Sequence, residues 1–233
     1  MILVIKHVSH EGPGTIENFF KKEGFDLKTV ELSKGNPLPS DLSQINAVIS
    51  MGGPMNVYEE DKYSFLKEED VFLKKVIKEE IPFLGVCLGS QLLAKAAGAK
   101  VTKAPKSEIG WFKVGLTHNG KKDPLFQGLG EDFEVFQWHG DIFAIPSGGK
   151  HLAEAAGCRN QALRVGRFAY GLQFHIEVTR DIIEDWLKQE GPITKEGRKM
   201  LDEYQKVEGK FKRNADTIYG NFLKIMAAGK VAV

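Results

Sequence analysis

The chain has little cysteine: two in 233 residues, Cys87 and Cys158. Two thiols cannot build a disulfide framework, and a chain of this length can bury a core without one. Excess charge of either sign is missing too, since 32 Lys and Arg stand against 31 Asp and Glu, a formal net charge of +1. That balance leaves no electrostatic footprint for nucleic acid, which is not expected as a partner. Long hydrophobic runs are also absent. The apolar opening, residues 1–5, is too short for a signal-peptide core of about 7–15 residues. No run approaches the ~20 residues that span a bilayer, so no membrane partner is expected either. A cytoplasmic protein with reduced thiols is the expectation. The composition, 42% hydrophobic and 27% charged, is that of a compact globular fold.

Two hydrophobic periods alternate through the first hundred residues. Apolar runs at 2–5, 45–50 and 82–86 read as buried strands. Between them lie helical patterns at 15–22, with Gly24 as a stop, and at 62–80, where Phe65, Phe72, Leu73, Val76 and Ile77 share one stripe. A third helix should open at Gly89 and Ser90 and stop at Gly98. Strands alternating with helices imply parallel pairing, with helices on both faces. Residues 108–117, 133–138, 152–156, 161–165 and 169–174 read as further strands with short turns, an antiparallel addition. After Thr179 the pattern is helical, with stripes around Ile183 and Trp186, Leu201 and Tyr204, and Ile218 and Phe222. The expected fold class is α/β: an open, mainly parallel sheet with helices on both faces, an antiparallel extension and a helical C-terminal tail.

Gly85-Val86-Cys87-Leu88-Gly89-Ser90-Gln91 follows a strand and opens a helix. That context is a nucleophile elbow with Cys in place of Ser. The flanking glycines permit a sharp turn, and the positive end of the helix favours a thiolate. The Leu88 N–H could help bind an oxyanion. A buried, inert Cys87 is the alternative reading. A nucleophilic thiol needs a His and a group to orient it. Six histidines are available: His7, His10, His118, His139, His151 and His175. His175 and Glu177 are two apart at a strand end, so both side chains project to one face. Ser50-Met51-Gly52-Gly53-Pro54 ends the neighbouring strand, where open sheets bind ligands, and its glycines can present a second N–H to substrate. His7 and His10 lack the further ligands that would complete a metal sphere. Cys158 lies between Gly157 and Arg159 in a turn; exposure there would make it prone to oxidation, and nothing suggests catalysis.

In this order, the Gly52-Gly53-Pro54 loop, the Gly85-x-Cys87-x-Gly89-x-Gln91 elbow and Phe174-His175-x-Glu177 resemble the class I, triad-type glutamine amidotransferase domain. The resemblance covers roughly residues 1–180 as a catalytic domain and leaves 181–233 as a helical tail packed on it. It implies that Cys87 attacks the glutamine side-chain amide to form a γ-glutamyl thioester. His175 is then the base and later the acid for departing ammonia, and Glu177 the carboxylate that orients it. Gly53 and Leu88 match the backbone donors of the oxyanion hole. Gln91, Trp138 and His139 fall on the substrate side, with Trp138-His139-Gly140-Asp141 similar to a loop that holds the amino-acid end. No cofactor and no metal are implied. Two departures stand out: Ile176 replaces a frequent Pro, and no synthetase domain is read after Thr179. Within the family, the Glu108-Ile109-Gly110-Trp111 stretch and the Trp138-His139-Gly140-Asp141 loop resemble stand-alone proteins akin to GMP synthase glutaminase domains. Three activities stay open: glutamine amide hydrolysis, with or without a synthase subunit as partner to receive ammonia; γ-glutamyl peptidase action on peptides or conjugates; and a non-catalytic binding or regulatory role. The small-molecule substrate is glutamine or another γ-glutamyl compound.

Overall fold

The computed structural model describes residues 1–230. In chain order its parallel half comprises β1 (Ile2–Lys6), α1 (Thr15–Lys22), β2 (Leu27–Glu31), β3 (Ala47–Ser50), α2 (Phe65–Lys78), β4 (Phe83–Val86) and α3 (Leu88–Ala96). There follow β5 (Val101–Leu116), β6 (Asp132–Phe143), β7 (Lys150–Glu154), β8 (Ala162–Val165), β9 (Ala169–Leu172), α4 (Arg180–Gln189) and α5 (Lys195–Lys230). The strands form one sheet in the order β2-β1-β3-β4-β9-β8-β7-β5-β6. Pairing is parallel from β2 to β9 and antiparallel from β9 to β6.

The central strands are apolar throughout because both their faces are covered. In β1, Ile2 and Val4 enter one core while Leu3 and Ile5 enter the other. β3 and β4 repeat the alternation, with Ile49 and Val86 on the first side and Val48 and Phe83 on the second. α1 and α5 close the first face through Ile16, Phe20, Ile218 and Phe222, and α2 and α3 close the second through Leu66, Leu73, Leu88 and Leu92. The expected helical tail becomes α4 and one 36-residue helix, α5. Ile183, Trp186, Leu201 and Tyr204 pack with Phe136 as a separate core. Residues 231–233 of that tail lie outside the described residues. Among the described residues no helix is long and apolar enough to cross a membrane.

Three boundaries differ from the sequence reading, each because burial does not follow pairing. β2 carried no signal, since only Val30 and Glu31 of its five residues are buried at this sheet edge. β5 starts at Val101 rather than 108, through a stretch that pairs while staying largely exposed. β6 runs on to Phe143, so the Trp138–Asp141 segment expected as a loop is strand, with Ile109 opposite Trp138 and Glu108 opposite His139. Gly140 and the polar residues around it hid the continuation.

Candidate active site

Cys87 links β4 to α3 with φ 51° and ψ −106°. A side chain in that region is strained, and such strain persists only where the surroundings over-determine it. Here the Cys87 N–H donates to Leu172 O at 2.8 Å, and its carbonyl accepts from the Ser90 N–H at 3.0 Å and Ser90 Oγ at 2.6 Å. The glycines make the turn possible by close approach. A Cβ on Gly85 would stand 2.5 Å from the Gly89 carbonyl carbon, and one on Gly89 would stand 2.7 Å from the Ser50 carbonyl carbon. Both obstacles are backbone and cannot swing aside. Gly89→Ala should therefore cost about 1–3 kcal/mol of stability by overpacking. Urea unfolding checks this, as a lower midpoint with an unchanged slope.

His175 follows β9 and is held by backbone pairing with Phe136, its N–H donating to Phe136 O at 2.8 Å. Its Nδ1 lies 2.6 Å from Glu177 Oε1, with both side chains buried. Ile176 donates its N–H to Glu177 Oε2 at 2.9 Å, a bond that a Pro at this position could not make. The Trp186 ring packs edge-on against the imidazole at 4.9 Å between centroids. Burial alone would lower the His175 pKa, but the Glu177 charge and hydrogen bonds with Cys87 and Glu177 raise it well above the usual 6.5. Nδ1 is committed to Glu177, so Nε2 is the nitrogen left for the Cys87 sulfur. The arrangement can carry a proton between a thiol and a third group.

The Gly53 and Leu88 N–H groups have no acceptor among the described residues. Gln91 is buried and donates its Nε2 to Asp141 O at 3.1 Å and Gln173 Oε1 at 3.2 Å. Trp138 O accepts from the Cys87 sulfur at 3.7 Å. The His139 ring is held by Asp141 O at 3.0 Å and Glu108 Oε2 at 3.1 Å and makes no bond to the thiol. A cavity of about 300 Å³ joins Cys87, Gln91, Trp138, His139, His175 and Gly53. The structure thus brings together the sequence-predicted residues Cys87, His175, Gly53, Gln91, Trp138 and His139 around one space. Glu177 stands behind His175, and Leu88 begins the helix beside Cys87.

Several groups at the cavity were not read as site residues. Glu11 and Glu190 line it together with Asp141 of the expected substrate loop, and no Lys or Arg does. Asp141 Oδ1 accepts from Tyr58 Oη at 3.3 Å, while its buried Oδ2 has no partner. Burial pushes the Glu11 carboxyl up, against the pull of His175, His10 and His7. Trp186 read as tail packing, and no local signal tied it to His175. Cys158 does not meet the condition for ready oxidation: it is 3% exposed, because its turn folds over Glu108, whose Oε1 a Cβ on Gly157 would strike. Burial pushes its thiol up to about 11. Glu108, His139 and Cys158 could offer three ligand atoms within 4.8 Å of one another to a metal. Hydrogen bonds already engage both His139 nitrogens and Glu108 Oε2.

The family model for glutamine amidotransferase class-I matches residues 15–187. A glutamine amidotransferase-like protein of Salmonella typhimurium, YfeJ, is 30% identical over 183 residues, covering 77% of each chain. A glutamine-hydrolysing GMP synthase of Staphylococcus saprophyticus is 36% identical over 155 residues, covering 66% of this chain and 26% of the synthase. The chain therefore matches only about a quarter of that relative's length. Among solved structures, a glutamine amidotransferase from Thermotoga maritima superposes with a TM-score of 0.85 at 33% identity, over 95% of this chain and 96% of the other.

Proposed function

The chain belongs to the class-I glutamine amidotransferase family, and we propose that it hydrolyses a γ-glutamyl amide by covalent catalysis at Cys87, glutamine being the simplest substrate. The observation that carries this reading is the Glu177-held imidazole at the mouth of the strained cysteine turn. Cys87 and His175 react as a thiolate–imidazolium pair, with the thiol proton held on His175 Nε2 as the sulfur attacks the amide carbon. The resulting oxyanion is met by the Gly53 and Leu88 N–H groups. As the C–N bond breaks, the imidazolium gives its proton to the leaving nitrogen, leaving a γ-glutamyl thioester. His175 then deprotonates a water that attacks the thioester, releasing glutamate and the free thiol. Asp141 Oδ2, buried without a partner beside Gln91, suits the α-ammonium of the substrate. Trp138 and His139 wall this end. A cytosolic, reducing environment keeps such a thiol free.

One observation favours a leaving group larger than ammonia. Besides the residues around Cys87, the same cavity is lined by His10, Trp186, Gln189 and Glu190, which leaves it more room than ammonia needs. A γ-glutamyl peptidase would use that space. Ammonia delivery to a synthase subunit is the reading suggested by the GMP synthase relatives.

The test is a panel of L-glutamine, γ-glutamyl dipeptides and glutathione, assayed for glutamate release. Turnover of at least one, with a γ-glutamyl adduct trapped on Cys87, is expected. Preference for peptides selects the peptidase, and weak glutaminase activity that rises with a synthase selects ammonia delivery. No turnover and no adduct on any substrate would overturn the proposal.

A further inference from the structure

His7 directly follows β1 and is fully buried, as is Glu69 on α2. The imidazole Nε2 lies 2.7 Å from Glu69 Oε2, and Nδ1 lies 3.0 Å from Gly52 O. Glu69 Oε1 accepts from Ser50 Oγ at 2.7 Å. A carbonyl oxygen can only accept, so Nδ1 must carry a proton, and Nε2 faces a carboxylate that also asks for one. Burial lowers the His7 pKa, but the Glu69 charge and hydrogen bond and the Gly52 carbonyl more than reverse this and raise it. Buried ion pairs are seldom more stabilising than apolar residues of similar size. This one interrupts an apolar stripe, Leu66, Phe72, Leu73 and Val76, that would otherwise continue. Stability alone gives a poor account of it.

Its location gives a better one. Gly52 C=O and Gly53 N–H belong to one planar trans peptide. Drawing the oxygen toward His7 turns the N–H the other way. Hydrogen bonding at the oxygen also polarises the amide and strengthens its N–H as a donor. Gly52 lies against the reacting groups: a Cβ there would stand 3.2 Å from His175 Cε1 and 3.7 Å from Cys87 Cβ.

We propose that His7, braced by Glu69 and Ser50, is a positioning residue that orients and polarises the Gly52–Gly53 peptide, so that the Gly53 N–H meets the oxyanion formed on the substrate. A second histidine–carboxylate pair then serves the same reaction as His175 and Glu177 without touching substrate. This rests on the reading of Cys87 as nucleophile.

The experiment compares wild type, His7→Leu, His7→Asn and Glu69→Gln in two reactions. One is hydrolysis of L-glutamine and γ-glutamyl-p-nitroanilide, with kcat and KM separated. The other is alkylation of Cys87 by iodoacetamide, a displacement at saturated carbon that forms no oxyanion. His7→Leu should lower kcat about 10- to 100-fold, short of the 10²–10³ that follows loss of a whole donor. KM and the alkylation rate should stay within about twofold, since neither reports on the transition-state oxyanion. His7→Asn can still donate to Gly52 O and should recover most of the loss, and Glu69→Gln should fall between. The two amide variants keep the inference testable if His7→Leu does not fold. An unchanged kcat in all three variants would overturn it. So would a parallel loss of hydrolysis and alkylation, the mark of a merely structural role. If Cys87→Ala stays active, the underlying reading has failed instead.

Discussion

Cys87→Ala is expected to end hydrolysis of every γ-glutamyl amide the wild type accepts, a loss of about 10⁴-fold or more. The adjacent Ser90 hydroxyl cannot take over, because its Oγ is spent on the Cys87 carbonyl. The fold should survive unchanged. Ala keeps a Cβ at φ 51°, so it neither adds nor relieves backbone strain. Cys87→Gly is the informative companion, since it should be equally inactive yet gain about 1–3 kcal/mol of stability as the strain is released. Activity and stability would then separate at one position, as expected where strain is held for chemistry. A glutamine-like electrophile should add one adduct to the wild type and none to either variant. Cys158 should not react, because burial keeps it a neutral thiol at ordinary pH. Glutamate release, thermal melting and intact mass measure the three parts. Wild-type hydrolysis by Cys87→Ala would remove Cys87 from the mechanism.

The parallel core was legible because strands buried on both faces must be apolar throughout, as residues 2–5 and 82–86 are. The elbow was legible for a related reason: glycines at 85 and 89 are forced by backbone contact, and close contact leaves a local mark in sequence. Features that depend on distant partners left no such mark. β2 pairs without much burial, and the exposed start of β5 carries no period. Trp138–Asp141 looked like a loop because its residues serve a cavity rather than a core. Glu69 did leave a trace, as a charged residue on an apolar helical stripe. Reading it required His7 and Ser50, which lie 62 and 19 residues away in sequence. Ile176 seemed a departure, yet its N–H is what holds the second oxygen of Glu177.

That second oxygen decides what Glu177→Gln should do. Glu177 accepts at both oxygens, from His175 Nδ1 at 2.6 Å and from the Ile176 N–H at 2.9 Å. An amide has one acceptor, so either orientation fails. With its oxygen toward His175, the NH₂ faces the Ile176 N–H, donor against donor. Reversed, the NH₂ donates to Nδ1 and leaves the ring proton on Nε2, the nitrogen that must receive the thiol proton. The expected loss in kcat is about 10²–10⁴-fold, the range for losing general base function or its tautomer. The pH profile should move with a definite sign. In the wild type the imidazolium persists above 6.5, and it is the acid that protonates the leaving nitrogen. The alkaline limb of activity falls where that proton is lost. Without the Glu177 charge, only Cys87 still opposes the lowering effect of burial, so the His175 pKa falls from its wild-type position and the limb should shift toward acid. Stability follows the same linkage. A raised folded pKa contributes stability that is fully present below the unfolded value near 6.5 and is lost as pH rises through the folded value. Glu177→Gln removes that contribution, so its melting temperature should fall most, relative to wild type, below pH 6.5. Rate profiles and melts across pH 5–9 test both, and a variant with wild-type kcat and an unmoved alkaline limb would show that Glu177 does not orient His175.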